Sequence, residues 1–239
     1  MTRMAKPRKP APIPKLRRYR RALRWMWRGV AGLVGLTVLA ITAYDIFNPP
    51  TTPYMFAEGR RLGGVDQTWV SFQDIAPVMA RSVVAAEDAN FCLHWGLDVT
   101  AIRAAMDAGG DRGASTISQQ VIKNAYLWQG RSWFRKAVEA GMTPLMEVFW
   151  SKRRILEVYL NIIEFDEGVF GVQAAAQSYF GVDAADLTPR QAARLAAVLP
   201  DPKGRSASDP SQAVRNRAAQ IIDGAATIAA DGRADCFTD

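Results

Sequence analysis

The stretch "EDANFCLHWG", residues 87–96, sets two adjacent carboxylates, Glu87 and Asp88, before an aromatic, a cysteine and the chain's only histidine, and closes on a glycine. It ends a longer run, "DIAPVMARSVVAAED", whose apolar residues Ile75, Val78, Met79 and Val83 recur at helical spacing behind a capping residue, Asp74. Glu87 therefore falls at the C-terminal end of a helix. Most Glu-Asp pairs in that position are solvated, so whether Glu87 is a surface group or a base depends on what surrounds it. The helical period persists outward from this run. Further helices are expected over 99–108, 116–127, 132–150, 152–163, 172–179, 189–198 and 211–229. Thr188-Pro189 is a cap followed by proline in the first turn, and Pro144 is expected to kink or interrupt its helix. The one strand-like region is "YMFAEGRRLGGVDQTWVSF", residues 54–72, where short alternating pieces around glycines predict a small hairpin. The fold class is mainly α.

Length and charge bound the rest. The 239 residues, 49% of them hydrophobic, can bury a sizeable core. A formal charge of +7 suggests nucleic acid, but residues 1–28 hold eleven Lys or Arg and no acid, leaving nineteen basic against twenty-three acidic residues in the remainder. The body is mildly acidic and the basicity belongs to the tail. That tail precedes "GVAGLVGLTVLAITAY", residues 29–44, flanked by Trp25, Trp27 and Tyr44; with its neighbours it approaches the roughly 20 residues that cross a bilayer core. A core helix seldom carries Arg17, Arg18, Arg20, Arg21, Arg24 and Arg28 on one side, and a signal peptide has a shorter basic region and a small-residue cleavage site. The organisation expected is a basic cytoplasmic tail at 1–25, a transmembrane helix at 26–47, a breaker-rich linker "NPPTTP" at 48–53, and a domain at 54–239 on the far side of the membrane. Cys92 and Cys236 would then face an oxidising compartment. Two free thiols are expected rather than a bridge, since Cys236 lies near a chain end. Their spacing gives no metal motif, and one histidine makes a zinc site improbable.

Other stretches carry chemistry. In "RGASTISQQVIKN", residues 112–124, a helix starting near Thr116 sets Gln119 and Lys123 four apart, as are Thr116 and Gln120, so amides, hydroxyl and ammonium share a side. A solvated face is the plain explanation; an anion and sugar-hydroxyl site is the functional one. In "RSWFRKAVE", residues 131–139, Arg131, Arg135 and Glu139 recur every four residues, explicable as ion pairs along a helix. "SKRRILEVYLNIIEF" (151–165) and "GVFGVQAAAQSYFG" (168–181) read mainly as core, through the stripe of Ile155, Leu156, Tyr159, Leu160 and Ile163 and the run Ala174 to Ala176.

In this order and at these separations, "EDANFCLHWG", "GASTISQQVIKN", "RKAVEAG", "KRRILEVYLN" and "GVQAAAQSYFG" resemble the motifs of the peptidoglycan glycosyltransferases, glycosyltransferase family 51, over about residues 54–210. Ala114 stands where a second glycine is common and Ser118 where threonine is common. Bifunctional members append a transpeptidase domain, for which no chain remains here, so the resemblance is to the monofunctional branch. It implies a lysozyme-like, two-lobed helical domain that joins the disaccharide of lipid II to a growing glycan strand, forming a β-1,4 bond with inversion and releasing undecaprenyl diphosphate. Position by position, Glu87 matches the general base and Glu139 the second essential carboxylate. Lys123 and Arg131 match the cations on the donor diphosphate, while Ser115, Gln119, Gln120 and Arg135 match residues lining the site. The resemblance allows a divalent metal, magnesium or manganese, at the diphosphate, with no organic cofactor and no metal site built by the protein. Partners implied are lipid II, the glycan strand, the membrane, and cell-division or cell-wall synthesis proteins, with no nucleic acid. The location implied is the bacterial inner (cytoplasmic) membrane, single-pass, with a periplasmic catalytic domain. Two rivals are a lysozyme-like muramidase or lytic transglycosylase, and an inactive membrane-anchored scaffold.

The charge asymmetry predicts that a reporter enzyme active only outside the cytoplasm, fused after Asp239, shows activity in intact cells. Activity confined to a cytoplasmic reporter at the same point would reverse the orientation.

Overall fold

The computed structural model describes residues 14–107, 109, 115–130 and 132–238, the side chains of 14–17 excepted. Its helices are α1 (Pro14–Ile46), α2 (Pro53–Leu62), α3 (Pro77–Glu87), α4 (Val99–Asp107), α5 (Ile117–Tyr126), α6 (Trp133–Phe149), α7 (Lys152–Ile162), α8 (Val172–Phe180), α9 (Pro189–Val198), α10 (Gln212–Ala230) and the short α11 (Asp235–Thr238). Three strands, β1 (Asp66–Gln67), β2 (Glu164–Asp166) and β3 (Val169–Phe170), form one small sheet in the order β1-β3-β2, with β1 parallel and β2 antiparallel to β3. The protein is mainly α.

The chain divides into two compact units at Ala43/Tyr44. Helix α1, most of which lies in the first, includes a stretch, Arg18–Ile46, long and apolar enough to cross a membrane. The second unit carries the site. There α3 packs against both α9 and α10 through small residues, and α5 packs against α6 and α7. A Cβ on Gly224 of α10 would lie 3.2 Å from the Ala85 Cβ, which measures how closely α10 approaches α3. Tyr159, Leu156 and Ile155 of α7 are fully buried, as are Val83 and Val84 of α3 and Ile117, Val121 and Ile122 of α5. Burying each such side chain contributes about 1.5–3 kcal/mol.

Local chemistry sets the helix ends. Thr116 caps α5 by accepting from the Gln119 N–H while the Gln119 side chain accepts from the Thr116 N–H, a reciprocal cap repeated by Thr188 and Gln191 at α9. Ser132, Ser151 and Ser211 cap α6, α7 and α10. The chain segment 48–52 between α1 and α2 is irregular, as its prolines demand.

Three sequence expectations need correction. The hairpin predicted at 54–72 is not there: α2 occupies the first part, and its C-cap Gly63 has φ +82°, so the glycines end a helix rather than turn a hairpin. The hairpin of the protein is β2–β3, and residues 66–67 join it only as a parallel edge. Asp74 does not cap α3; it closes a 3₁₀ turn, Phe72–Asp74, and α3 starts instead with Pro77 in its first turn. Cys92 and Cys236 are not free thiols but form a disulfide, with Cα atoms 5.7 Å apart. The bridge is supported by packing of Phe91 against Phe237, ring centroids 6.3 Å apart. The ends meet because α11 packs on α7 and on the turn Phe91–Leu93, which local sequence does not reveal. Pro144, in turn, leaves α6 uninterrupted from Trp133 to Phe149.

The bridge spans a sequence separation of 144. Reduction, or the Cys92→Ser, Cys236→Ser pair, is expected to lower unfolding free energy by about 2–5 kcal/mol. The measurement is the denaturant midpoint with and without reductant, and coincident midpoints would contradict a stabilising bridge.

Candidate active site

The last two residues of α3, the first two turns of α5 and the first two turns of α6 meet at one cleft of about 790 Å³. Glu87, Ser115, Gln119, Gln120, Lys123, Arg135 and Glu139 all line it. The structure thus brings together every site residue read from the sequence except Arg131, which lies outside the described residues. Lys136, Arg217, Ala86, Leu199 and Pro200 complete the wall and were not singled out by sequence. Lys136 was findable, because it sits three residues before Glu139 on one helix. Arg217 was not: it comes from α10, in a segment with no recognisable motif.

The ends of α3 and α5 are tied by Asp88. Its Oδ2 accepts from the Ile117 N–H at 3.0 Å, and its Oδ1 lies 2.8 Å from His94 Nε2. A carboxylate at a helix N-terminus also meets the positive end of the helix dipole. Thr116 Oγ1 donates to the Gly96 carbonyl at 2.6 Å, so the loop after Glu87 is fastened at both ends to the start of α5. Gly96 has φ +80°, and a Cβ there would fall 2.6 Å from Thr143 Cγ2; only glycine allows α6 to approach. Beneath it, Glu147 Oε1 accepts from Ser118 Oγ and, at 2.8 Å, from Lys152 Nζ.

The two carboxylates of the cleft differ in their company. Glu139 has both oxygens engaged: Arg135 Nη1 donates to Oε2 at 2.6 Å and Lys136 Nζ donates to Oε1. Glu87 Oε2 accepts from Gln120 Nε2 at 3.0 Å. Gln120 is itself oriented by Tyr159, whose hydroxyl donates to Gln120 Oε1 at 3.2 Å. Among the described residues Glu87 Oε1 accepts no hydrogen bond, and the nearest cation, Arg217 Nη2, stands 3.9 Å away. Burial raises the Glu87 pKa above the ordinary glutamate value, opposed by the Gln120 hydrogen bond and by the charge of Arg217. Burial lowers the Lys123 pKa, opposed by Glu139 and reinforced by Arg135 and Lys136. Lys123 forms no hydrogen bond or ion pair with any of the described residues, and so presents an uncommitted ammonium to the cleft.

Chemically, the arrangement offers one carboxylate with a free oxygen to accept a proton and a set of cations, Lys123, Arg135 and Lys136, to receive an anion. The chain belongs to the transglycosylase family, whose model, described as Transglycosylase, matches residues 57–226. It is 62% identical over 214 residues, 90% of each chain, to a biosynthetic peptidoglycan transglycosylase of Jannaschia sp.. Proteins of the same name from Rhodospirillum centenum and Caulobacter vibrioides are 47% and 45% identical, covering 92% and 85% of this chain and 97% and 91% of their own.

A raised carboxyl pKa in the folded state means that the unfolded chain releases this proton first, so the contribution of Glu87 to stability falls as pH rises through the folded-state pKa. Glu87→Gln removes that penalty. The variant should match wild type in acid and melt higher at neutral pH, each kcal/mol appearing as ~2–4 °C. A variant that melts lower at neutral pH, with the gap closing in acid, would contradict the burial penalty.

Proposed function

We propose that this protein is a membrane-anchored peptidoglycan glycosyltransferase that polymerises lipid II into β-1,4 glycan strands with inversion, releasing undecaprenyl diphosphate. The observation that carries the reading is the Glu87 oxygen with no donor among the described residues, in the same cleft as four cations, Lys123, Arg135, Lys136 and Arg217. The family membership and the relatives' names support a peptidoglycan substrate. Glu87 takes the proton from the acceptor's 4-hydroxyl as that oxygen attacks the donor's anomeric carbon. The bond from that carbon to the diphosphate oxygen breaks, and its electron pair leaves with the diphosphate. A diphosphate is already a weak base and needs charge neutralisation more than a proton, which Lys123, Arg135 and Lys136 supply, with Arg131 assigned beside them by resemblance. A glycosidase expels an alkoxide and therefore needs a carboxylic acid at the leaving group; cations at that side of the cleft favour transfer over cleavage.

Glu139, paired on both oxygens, serves to hold Arg135 and Lys136 toward the leaving group rather than to accept a proton. Gln119 spends its side-chain oxygen on the α5 cap, which leaves its amide N–H groups for sugar or phosphate oxygens. Ser115 Oγ accepts from Lys136 and so steadies the same cation. The side chains present do not fit a divalent metal held by protein ligands. Among the described residues no three His, Cys, Asp or Glu are grouped to bind one, and both Glu139 oxygens are already engaged, so no step is derived through a metal. The N-terminal basic tail and apolar α1 support a single-pass anchor in the inner membrane with the site on the periplasmic side, where a lipid-linked donor is reached without leaving the bilayer.

The test is turnover of purified lipid II by the detergent-solubilised full chain. Polymer is the expected product. Glu87→Gln should stay folded and lose activity on the order of 100-fold or more. Lys123→Ala should lose about one to two decades, the size of a charge-assisted contact. Release of soluble muropeptides from finished walls would replace this reading by the lytic one, and binding without turnover would leave a scaffold.

A further inference from the structure

Glu87 stands at the end of α3, where α10 crosses it. Arg217 projects from α10 to this point: its Nη2 donates to the Ala86 carbonyl at 3.1 Å and lies 3.9 Å from Glu87 Oε1. The same guanidinium borders the cleft, and its Nε is buried without a partner among the described residues. The Ala86 carbonyl belongs to the last turn of α3, so it has no helical N–H of its own to accept from, and Arg217 satisfies it. That bond fixes the cation with respect to the backbone beside Glu87 rather than to its side chain.

The distance matters. At 3.9 Å the guanidinium is beyond hydrogen-bond reach of Oε1, yet close enough for its charge to favour the ionised carboxylate. A closer, bidentate pair would occupy the lone pair that must accept a proton, the situation of Glu139 with Arg135 and Lys136. We propose that Arg217 is a positioning residue for Glu87: anchored on the Ala86 carbonyl, it holds its charge beside the part-buried carboxylate and favours the ionised form while leaving the proton-accepting oxygen free of a hydrogen bond. This inference rests on the reading of Glu87 as the base.

The other charged and titratable groups that face Glu87 are Asp88 beside it, Lys123 on α5, Tyr159 on α7 acting through Gln120, and Arg205 in the segment between α9 and α10. Asp88 opposes ionisation of Glu87 and is held by His94 and the Ile117 N–H. Arg205 favours ionisation but is tied to the Ala197 carbonyl at 3.0 Å. Arg217 is the one cation within 4.0 Å of Glu87 among the described residues, and its charge acts in the sense opposite to burial.

The experiment compares full-length wild type, Arg217→Met and Arg217→Lys in the same detergent. The ¹³Cδ resonance of Glu87, assigned by its loss in Glu87→Gln, is titrated in each. Arg217→Met should move the Glu87 midpoint upward, and Arg217→Lys should return it toward wild type. In the pH profile of kcat/KM for lipid II, the acid limb should move with the midpoint, giving a loss of roughly tenfold on the acid side that shrinks toward none at alkaline pH. An unchanged midpoint, or a loss equal at every pH, overturns the proposal and leaves Arg217 with a packing role. A pH-independent rise in KM alone also overturns it, in favour of direct substrate binding. If Arg217→Met does not fold, Arg217→Gln replaces it in both measurements. Wild type that makes no polymer would overturn the lipid II reading by itself, while the carboxyl titration would still decide the role of Arg217.

Discussion

The site depends on a single buried carboxylate that is not itself placed to react. Asp88 accepts from the backbone N–H of Ile117 and from His94, and in doing so joins the C-terminus of one helix to the N-terminus of another. Helix ends are where backbone groups lack intrahelical partners, so a side chain that answers one of them fixes a chain segment, not just another side chain. With α3 and α5 held end to end, Glu87 and Gln120 fall within hydrogen-bond distance, and Lys123 opens onto the same cleft one turn further along. Gly96 then allows α6 to close from the other side, bringing Glu139 and its two cations.

This scaffold permits a division of labour between two chemically identical side chains. Glu139 is buried with a donor on each oxygen, whereas Glu87 is part-buried and, among the described residues, has one oxygen without a donor. Burial makes the charge of the Glu87 carboxylate costly and raises its basicity, while the donors on both Glu139 oxygens occupy its lone pairs. Separating a base from an electrostatic brace therefore requires no difference in residue type, only a difference in neighbours. Tyr159 contributes at one remove by orienting the amide that orients Glu87.

Much of this was legible because it is local. Thr188-Pro189 marked the start of α9, and the apolar spacing of α7 gave its buried face. The cleft residues lay within short quoted stretches, each on one helix, so helical spacing already grouped them. What escaped was non-local or very short. Strands of two or three residues carry no measurable alternation, so the glycines at 63 and 64 were taken for a hairpin when they end a helix. Arg217 reaches Glu87 from 130 positions away, and α11, with its four residues, gives no hint that Cys236 will meet Cys92. Both contacts exist because α10 and α11 fold back over earlier elements, which is a property of topology.

The bridge also imposes an order on the making of this protein. Cys92 follows Glu87 by five positions, but its partner arrives only after every residue between 92 and 236 has left the ribosome. Oxidation further requires both sulfurs to sit in a compartment that supports it. The loop that follows Glu87 therefore lacks its covalent tie until Cys236 has been made and oxidised, 144 positions after Cys92. A chain held in a reducing compartment and one in an oxidising compartment would share a sequence and differ in this bond.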